Sequence, residues 1–188
     1  KTSTNVAMSN VLKLNGNNQY ILPANQTVFN FGANQDFSVE LRIKYNANNA
    51  TGDAAFIGNK NWNSGFNKGF VISTPTDELG RWKVNIADGI FRTDLTGSFI
   101  GDNNWHTIAV TFDRNGRMTL YEDGIEAGWQ NMNLVGNINS GLPLVIGQDG
   151  TLGYADWFNG AIAEVRIWNT VLSPTAIAQY ACSSVTPT

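Results

Sequence analysis

Residues 105–112, 118–122 and 125–129 are three apolar runs that follow one another with little more than Asn115-Gly116 and Asp123-Gly124 between them. Asn-Gly and Asp-Gly readily take the positive-φ turns that join antiparallel neighbours, so this stretch is expected to form a three-stranded meander. Links this short exclude parallel pairing, which needs a crossover of about a dozen residues. A meander has an apolar face to bury, so the rest of the chain must supply a second layer.

Residues 37–45 alternate cleanly, with Val39, Leu41, Ile43 and Tyr45 on one face and Ser38, Glu40, Arg42 and Lys44 on the other. That pattern predicts a strand with one core face and one wet face. Residues 11–14 and 19–23, separated by Asn15-Gly16-Asn17-Asn18, read as an opening hairpin. Further strands are expected at 54–57, 69–73, 82–87, 142–146 and 161–168, with loops at 47–53, 59–66 and 148–159 rich in Asn, Gly and Asp. One short helix is expected at 174–180, capped by Ser173 and opened by Pro174. Many short strands divided by turns predict an all-β sandwich or barrel.

The 188 residues show no repeat and no strong linker, so a single domain over 1–188 is expected, with an ordered core at about 10–181. A hydrophobic fraction of 42% against 14% charged residues describes a chain that folds around a core. The net charge of −3 offers no basic surface for phosphate, which argues against a nucleic-acid partner. No apolar run approaches the roughly 20 residues of a membrane helix, so no membrane insertion is expected. Cys182 is the sole cysteine, which excludes an internal disulfide. Beside Ser183, Ser184 and Pro187 it reads as an exposed thiol in a polar tail, or as the partner of a segment outside this sequence.

Several separated segments resemble the laminin-G-like branch of the concanavalin-A-like lectin and glucanase superfamily. They are Leu12-x-Leu14-Asn15-Gly16 with Tyr20-Ile21 and Pro23, Phe37-Ser38-Val39-Glu40, the run from Trp105 through His106 to Asp113, and Leu120-Tyr121-x-Asp123-Gly124. Leu144-Val145-Ile146-Gly147 and the run from Phe158 through Glu164 to Trp168, followed by Leu172-Ser173, complete the series in the family's order. The resemblance implies a jelly-roll sandwich of two curved antiparallel sheets. It does not select a function, because the superfamily holds lectins, adhesion domains, pentraxins and hydrolases.

Catalysis finds little support in the residues. His106, the only histidine, shares a face with Ile108, Val110 and Phe112, and is expected to be a structural, hydrogen-bonded core histidine. Glycoside hydrolysis needs two carboxyl groups roughly 5–5.5 Å or 6.5–9.5 Å apart. The hydrolase branch carries Glu-x-Asp-x-x-Glu along one strand, and no such run is present. In Glu122-Asp123-Gly124-Ile125-Glu126, a two-residue turn would pair Glu122 with Ile125 and Glu126 with Tyr121, sending the two glutamates to opposite faces. Glu40 with Arg42, and Glu164 with Arg166, suit surface ion pairs. An acid pair assembled from distant strands stays open.

Binding is the better-supported class. Asn59, Trp62, Asn61 and Asn63 in one loop, Trp129, Asn131 and Asn133 in another, and Trp157 in a third combine flat rings with carboxamides, the groups that meet sugar faces and hydroxyls. The expected partner is a glycan bound without catalysis, with a protein ligand as the alternative, in an extracellular or cell-surface setting. Gln148-Asp149 is similar to a pentraxin segment that binds calcium, and Asp53 matches another ligand position there. With Asp156 these residues form the candidate calcium set, since Ca2+ takes roughly six to eight oxygen ligands.

Overall fold

The computed structural model describes residues 4–6, 11–49 and 52–183. Ala50 and Thr51 of the expected loop 47–53, and Ser184 and Pro187 of the expected tail, lie outside them. Two antiparallel sheets face one another. The seven-stranded sheet runs β1 (Thr4–Val6), β12 (Asn159–Trp168), β3 (Phe37–Asn46), β8 (Asp102–Phe112), β9 (Arg117–Glu122), β10 (Ile125–Asn131), with β2 (Leu12–Asn15) also against β12. The five-stranded sheet runs β11 (Val145–Ile146), β4 (Ala55–Gly58), β5 (Gly69–Ser73), β6 (Arg81–Ala87), β7 (Arg92–Phe99). With α1 (Pro174–Ser183) as the one α-helix among the described residues, this is the expected all-β jelly-roll architecture.

The inward face of β3 supplies Val39, Leu41, Ile43 and Tyr45, all buried, to a core shared with Phe56, Phe70, Trp82 and Val84 of the opposite sheet. Phe31, Phe37 and Phe112 stack at centroid distances of 3.9 and 4.2 Å, and Phe70 closes on them from the other layer. Phenyl rings fill the gap between sheets with large apolar area and favour offset or tilted contacts, which fixes the relative position of the layers.

The meander forms as read, and its second turn is the two-residue type: Asp123 and Gly124 have φ of 50° and 85°, and Glu122 and Glu126 pair with Ile125 and Tyr121. Glu122 reaches Trp82 Nε1 (2.7 Å) and Ser98 N (2.6 Å), while Glu126 is exposed. The first turn differs. Asp113 organises it, its backbone C=O accepting from Gly116 N (3.0 Å) and its carboxylate from Asn115 N (3.1 Å), so Gly116 needs no positive φ.

Other expectations are corrected. Residues 19–23 do not pair with β2; the turn at Gly16 (φ 74°) sends the chain to the other sheet, where Ile21 bridges Ile146 in both directions (2.9 and 3.0 Å). The strand at 142–146 shrinks to β11. Strand β7 escaped notice because its outward Arg92 and Asp94 and small Gly97 hide the inward Thr93 and Leu95. The helix runs on through Cys182, which is exposed on its last turn rather than in a tail. Ser173 caps it as expected, its Oγ accepting from Ala176 N at 3.2 Å.

The outward face of β3 is not wet. Helix α1 lies over the strands beside it, through Ile177, packed with Ala109 of β8 and Tyr121 of β9, and through Tyr180, stacked on Trp168 of β12 at 5.2 Å. Glu40 is consequently 3% exposed, and its partner is not Arg42 but Arg166, across the strand pair at 2.6 Å; Arg166 also holds Glu164. Burial pushes the Glu40 carboxyl up from 4.5 to about 7, outweighing the Arg166 charge. A raised acid pKa contributes stability that is complete below 4.5 and lost as pH rises through about 7. Urea unfolding should show a decline across that interval that Glu40→Gln flattens. Parallel stability curves for parent and variant would refute the assignment.

Candidate functional site

Two loops meet at the β11 edge of the five-stranded sheet. β4 runs into residues 59–68 and β11 into residues 147–158, and the pairs Val145–Gly58 and Ile146–Ile57 hold the strands side by side. Gly147, with φ 91°, turns the chain where a side chain would strike Leu14. Asp149 then ties the loops together. Its Oδ1 accepts from Thr151 N (2.9 Å), Thr151 Oγ1 (2.7 Å) and Leu152 N (3.2 Å), and its Oδ2 from Trp62 N (2.9 Å). Gly150 N donates to Lys60 O (3.0 Å). Gln148 braces the same loop, accepting from Asp149 N (2.7 Å) and donating to Tyr154 O (3.0 Å).

Beneath the first loop lies a lysine that sequence reading missed. Lys60 is fully buried, donating to Gly65 O (3.0 Å) and to Asn85 Oδ1, while Asn85 Nδ2 donates to Asp94 (2.9 Å). Burial lowers its pKa to about 7, against the pull of Asp94. The Trp62 ring lies 5.5 Å from the Lys60 ammonium and 5.7 Å from that of Lys83, within cation–π range. Its indole Nε1 is buried with no hydrogen-bond partner among the described residues.

Trp62, Asn63, Asp53, Gln148, Asp149 and Asp156 line one recess of about 220 Å3, together with Tyr154, another residue absent from the sequence-based set. Tyr154 carried a signal, an aromatic ring in a Gly-rich loop. Its Oη donates to Asn61 Oδ1 (2.9 Å), which also accepts from Asn63 N (3.0 Å), so Asn61 braces the wall without lining it. Asn59 is buried and accepts from Phe70 N (2.9 Å).

The remaining candidates lie elsewhere. Trp157 packs on Tyr20 at 5.9 Å. Trp129 is exposed on the edge strand β10 beside Arg117 (5.0 Å), with Asn131 ending that strand and accepting from Asn133 N (2.9 Å). Of the three tryptophans, only Trp62 lines the recess.

Asp53, Asp149 and Asp156 supply donors of the kind calcium takes, and burial followed by the charges of Asp53 and Asp149 raises the Asp156 pKa. Yet Asp149 and Gln148 spend their oxygens on the loop, and among the described residues no three acidic, histidine or cysteine side chains form a metal-holding group. The donors fit calcium in chemistry without forming a closed cage. Because a raised acid pKa disfavours the charged folded state, in metal-free protein Asp156→Asn should raise the melting temperature above the carboxyl's folded pKa and leave it unchanged well below 3.8. Equal melting temperatures at neutral pH would count against carboxylate crowding here.

His106 has both ring nitrogens engaged, Nδ1 with Asp123 (3.0 Å) and Nε2 with Asp102 (3.1 Å), at the margin of the core face. Burial opposes its charge, but these hydrogen bonds prevail and raise its pKa.

The chain belongs to the concanavalin A-like lectin/glucanases superfamily, in its laminin-G family, whose sequence model matches residues 15–178. Three solved structures show the same fold. Domain 4 of AbnA, a GH43 extracellular arabinanase from Geobacillus stearothermophilus in complex with arabinotriose, has a TM-score of 0.66 at 20% identity, over 96% of this chain and 82% of that one. The Ruminococcus gnavus IT-sialidase CBM40 bound to alpha2,3 sialyllactose gives 0.63 at 15%, over 96% and 97%. The binding domain of Paraclostridial Mosquitocidal Protein 1 gives 0.70 at 18%, over 95% of this chain but 45% of that one. The chain thus spans less than half of such toxin binding domains.

Proposed function

We propose that this domain is a non-catalytic carbohydrate-binding module and that the Trp62 recess takes a neutral saccharide. The observation that carries this reading is the convergence on one recess of an indole, a tyrosine, two carboxamides and three carboxylates. Sugars present apolar C–H faces to flat rings, and their hydroxyls donate to carboxylates and amide oxygens. The same carboxylates repel an acidic sugar. Two structural neighbours are domains captured with oligosaccharides, which supports the class of ligand without naming it. An extracellular or cell-surface setting belongs to the same proposal.

A catalytic role is not proposed, because the strand glutamates considered for an acid pair, and Asp149, are committed to other work. Glu40 and Glu164 are bound to Arg166, Glu122 to Trp82 and Ser98, and Asp149 to its own loop and to Trp62 N.

A protein ligand is the second reading, and β10 favours it. Ile125 and Trp129 stand 73% and 52% exposed on the last strand of a sheet, where an unpaired edge and apolar side chains suit a polypeptide.

Trp62→Ala should weaken binding of a neutral oligosaccharide, identified from an arabino-, xylo- and gluco-oligosaccharide panel, by about 1–2 kcal/mol without matching loss of stability. The parent should release no reducing ends from the panel. Full affinity in the variant would move the site away from the recess, and binding lost only in Trp129→Ala would transfer it to β10.

Calcium remains part of the proposal, to be held by Asp53, Asp149 and Asp156 with Gln148 nearby. A cation bound only by the native state raises stability by mass action, so excess chelator should lower the melting temperature and added Ca2+ restore it. Coincident melting curves for metal-free and calcium-loaded protein would remove calcium from the account.

A further inference from the structure

The outward face of the seven-stranded sheet carries a second concavity, of about 500 Å3, beyond the part that α1 covers. Strand register builds it. Ala161 of β12 pairs with Lys13 of β2 on one side and Lys44 of β3 on the other, and Lys44 pairs in turn with Trp105 of β8. These four residues therefore stand in one lateral row on one face, with Lys13 and Lys44 flanking a methyl group and Trp105 forming a wall. Asn103 and Asn159 add carboxamides at the ends.

The charge of this groove is unbalanced. Its lining holds two lysines and no acid. Each acid of the four strands is already engaged: Asp102 with Asn104 and His106, Glu40 and Glu164 with Arg166. Among the described residues neither lysine makes an ion pair. Arg42, next on the same face of β3, lies 5.7 Å from the Trp105 ring with Nε and Nη1 buried and lacking an acceptor among the described residues. Two lysines without an ion-pair partner among the described residues thus border one aromatic wall, with Arg42 beside that ring and Glu164 opposite Arg42 on β12.

We propose that this groove binds an anionic oligosaccharide, with its acidic groups on Lys13 and Lys44 and a sugar ring against Trp105. Two strand intervals of ~4.8 Å separate the lysine backbones by roughly 10 Å, which suits a chain with repeated charges better than a single acidic residue. The tryptophan and the carboxamides distinguish this surface from a simple basic patch, since they offer a stacking face and hydroxyl partners. The site is independent of the Trp62 recess, which has the opposite charge and lies on the other sheet.

Calorimetric titration of the intact domain would use tetragalacturonate as the carboxylate probe, a chondroitin sulfate tetrasaccharide as the sulfated one, and a neutral tetrasaccharide as control. At least one anionic probe should bind more tightly than the control, with an affinity that falls as salt rises. The double variant Lys13→Gln/Lys44→Gln should lose about tenfold or more of that affinity while keeping the parent melting temperature. Preference between the two probes identifies the acidic group. Trp62→Ala should leave anionic binding intact, so failure of the recess reading does not affect this test. The proposal is overturned if neither anion binds, if the neutral chain binds equally well, or if the lysine variant retains parental affinity.

Discussion

The pleat of β3 sets the chemistry of both sides of the seven-stranded sheet. It sends Val39, Leu41, Ile43 and Tyr45 into the sandwich and Ser38, Glu40, Arg42 and Lys44 out of it, and a slip of one residue would exchange the two sets. Each large apolar side chain kept inward contributes roughly 1.5–3 kcal/mol, so the register is held firmly. Because β3 pairs with β12 on one side and β8 on the other, that register also positions their side chains. The Glu40–Arg166 pair and the Lys13–Ala161–Lys44–Trp105 row share this outward face on either side of the β12 bulge between Ile162 and Glu164.

What sequence could show follows from this. Alternation in 37–45 and the turn chemistry of Asp123-Gly124 are local properties, and both strand and turn appear where the residues predict them. Glu40 illustrates the limit. Period-two alternation correctly places it outside the core, but burial there depends on α1, a helix some 130 residues later whose docking surface of Ile177 and Tyr180 leaves no periodic mark on β3. The opening hairpin fails for a related reason: Asn15-Gly16 licenses a turn, yet cannot specify whether the following strand returns to its neighbour or crosses to the other sheet. Ile21 crosses because Ile146 offers both of its backbone groups.

The recess was partly legible because its acids and its tryptophan sit in loops whose composition stands apart. Their convergence was not legible, since it depends on Asp149 accepting a backbone N–H from Trp62, 87 residues away. Nor could sequence reveal Lys60. A lysine in a polar loop ordinarily points to water, and here the loop folds back so that the ammonium satisfies Gly65 O and Asn85 beneath Trp62. A buried cation needs such partners to offset its desolvation. The arrangement in turn fixes the loop, and with it the ring that faces the recess.

A net charge of −3 conceals a separation of charge that matters more than the sum. Acids gather where the β4 and β11 loops meet, and uncompensated cations gather at the open end of the opposite sheet's outer face. On the proposed reading, the recess offers acceptors to hydroxyl donors and oxygens to a hard cation. On the same terms, the groove offers carboxamides to hydroxyls and ammonium groups to a negative one. Exposed charges act over about 8 Å at physiological salt, so a sandwich whose sheets pack about 10 Å apart keeps the two fields largely distinct. One jelly roll thereby presents two aromatic surfaces of opposite polarity, one lined by loop aspartates and the other by lysines that no strand acid pairs among the described residues.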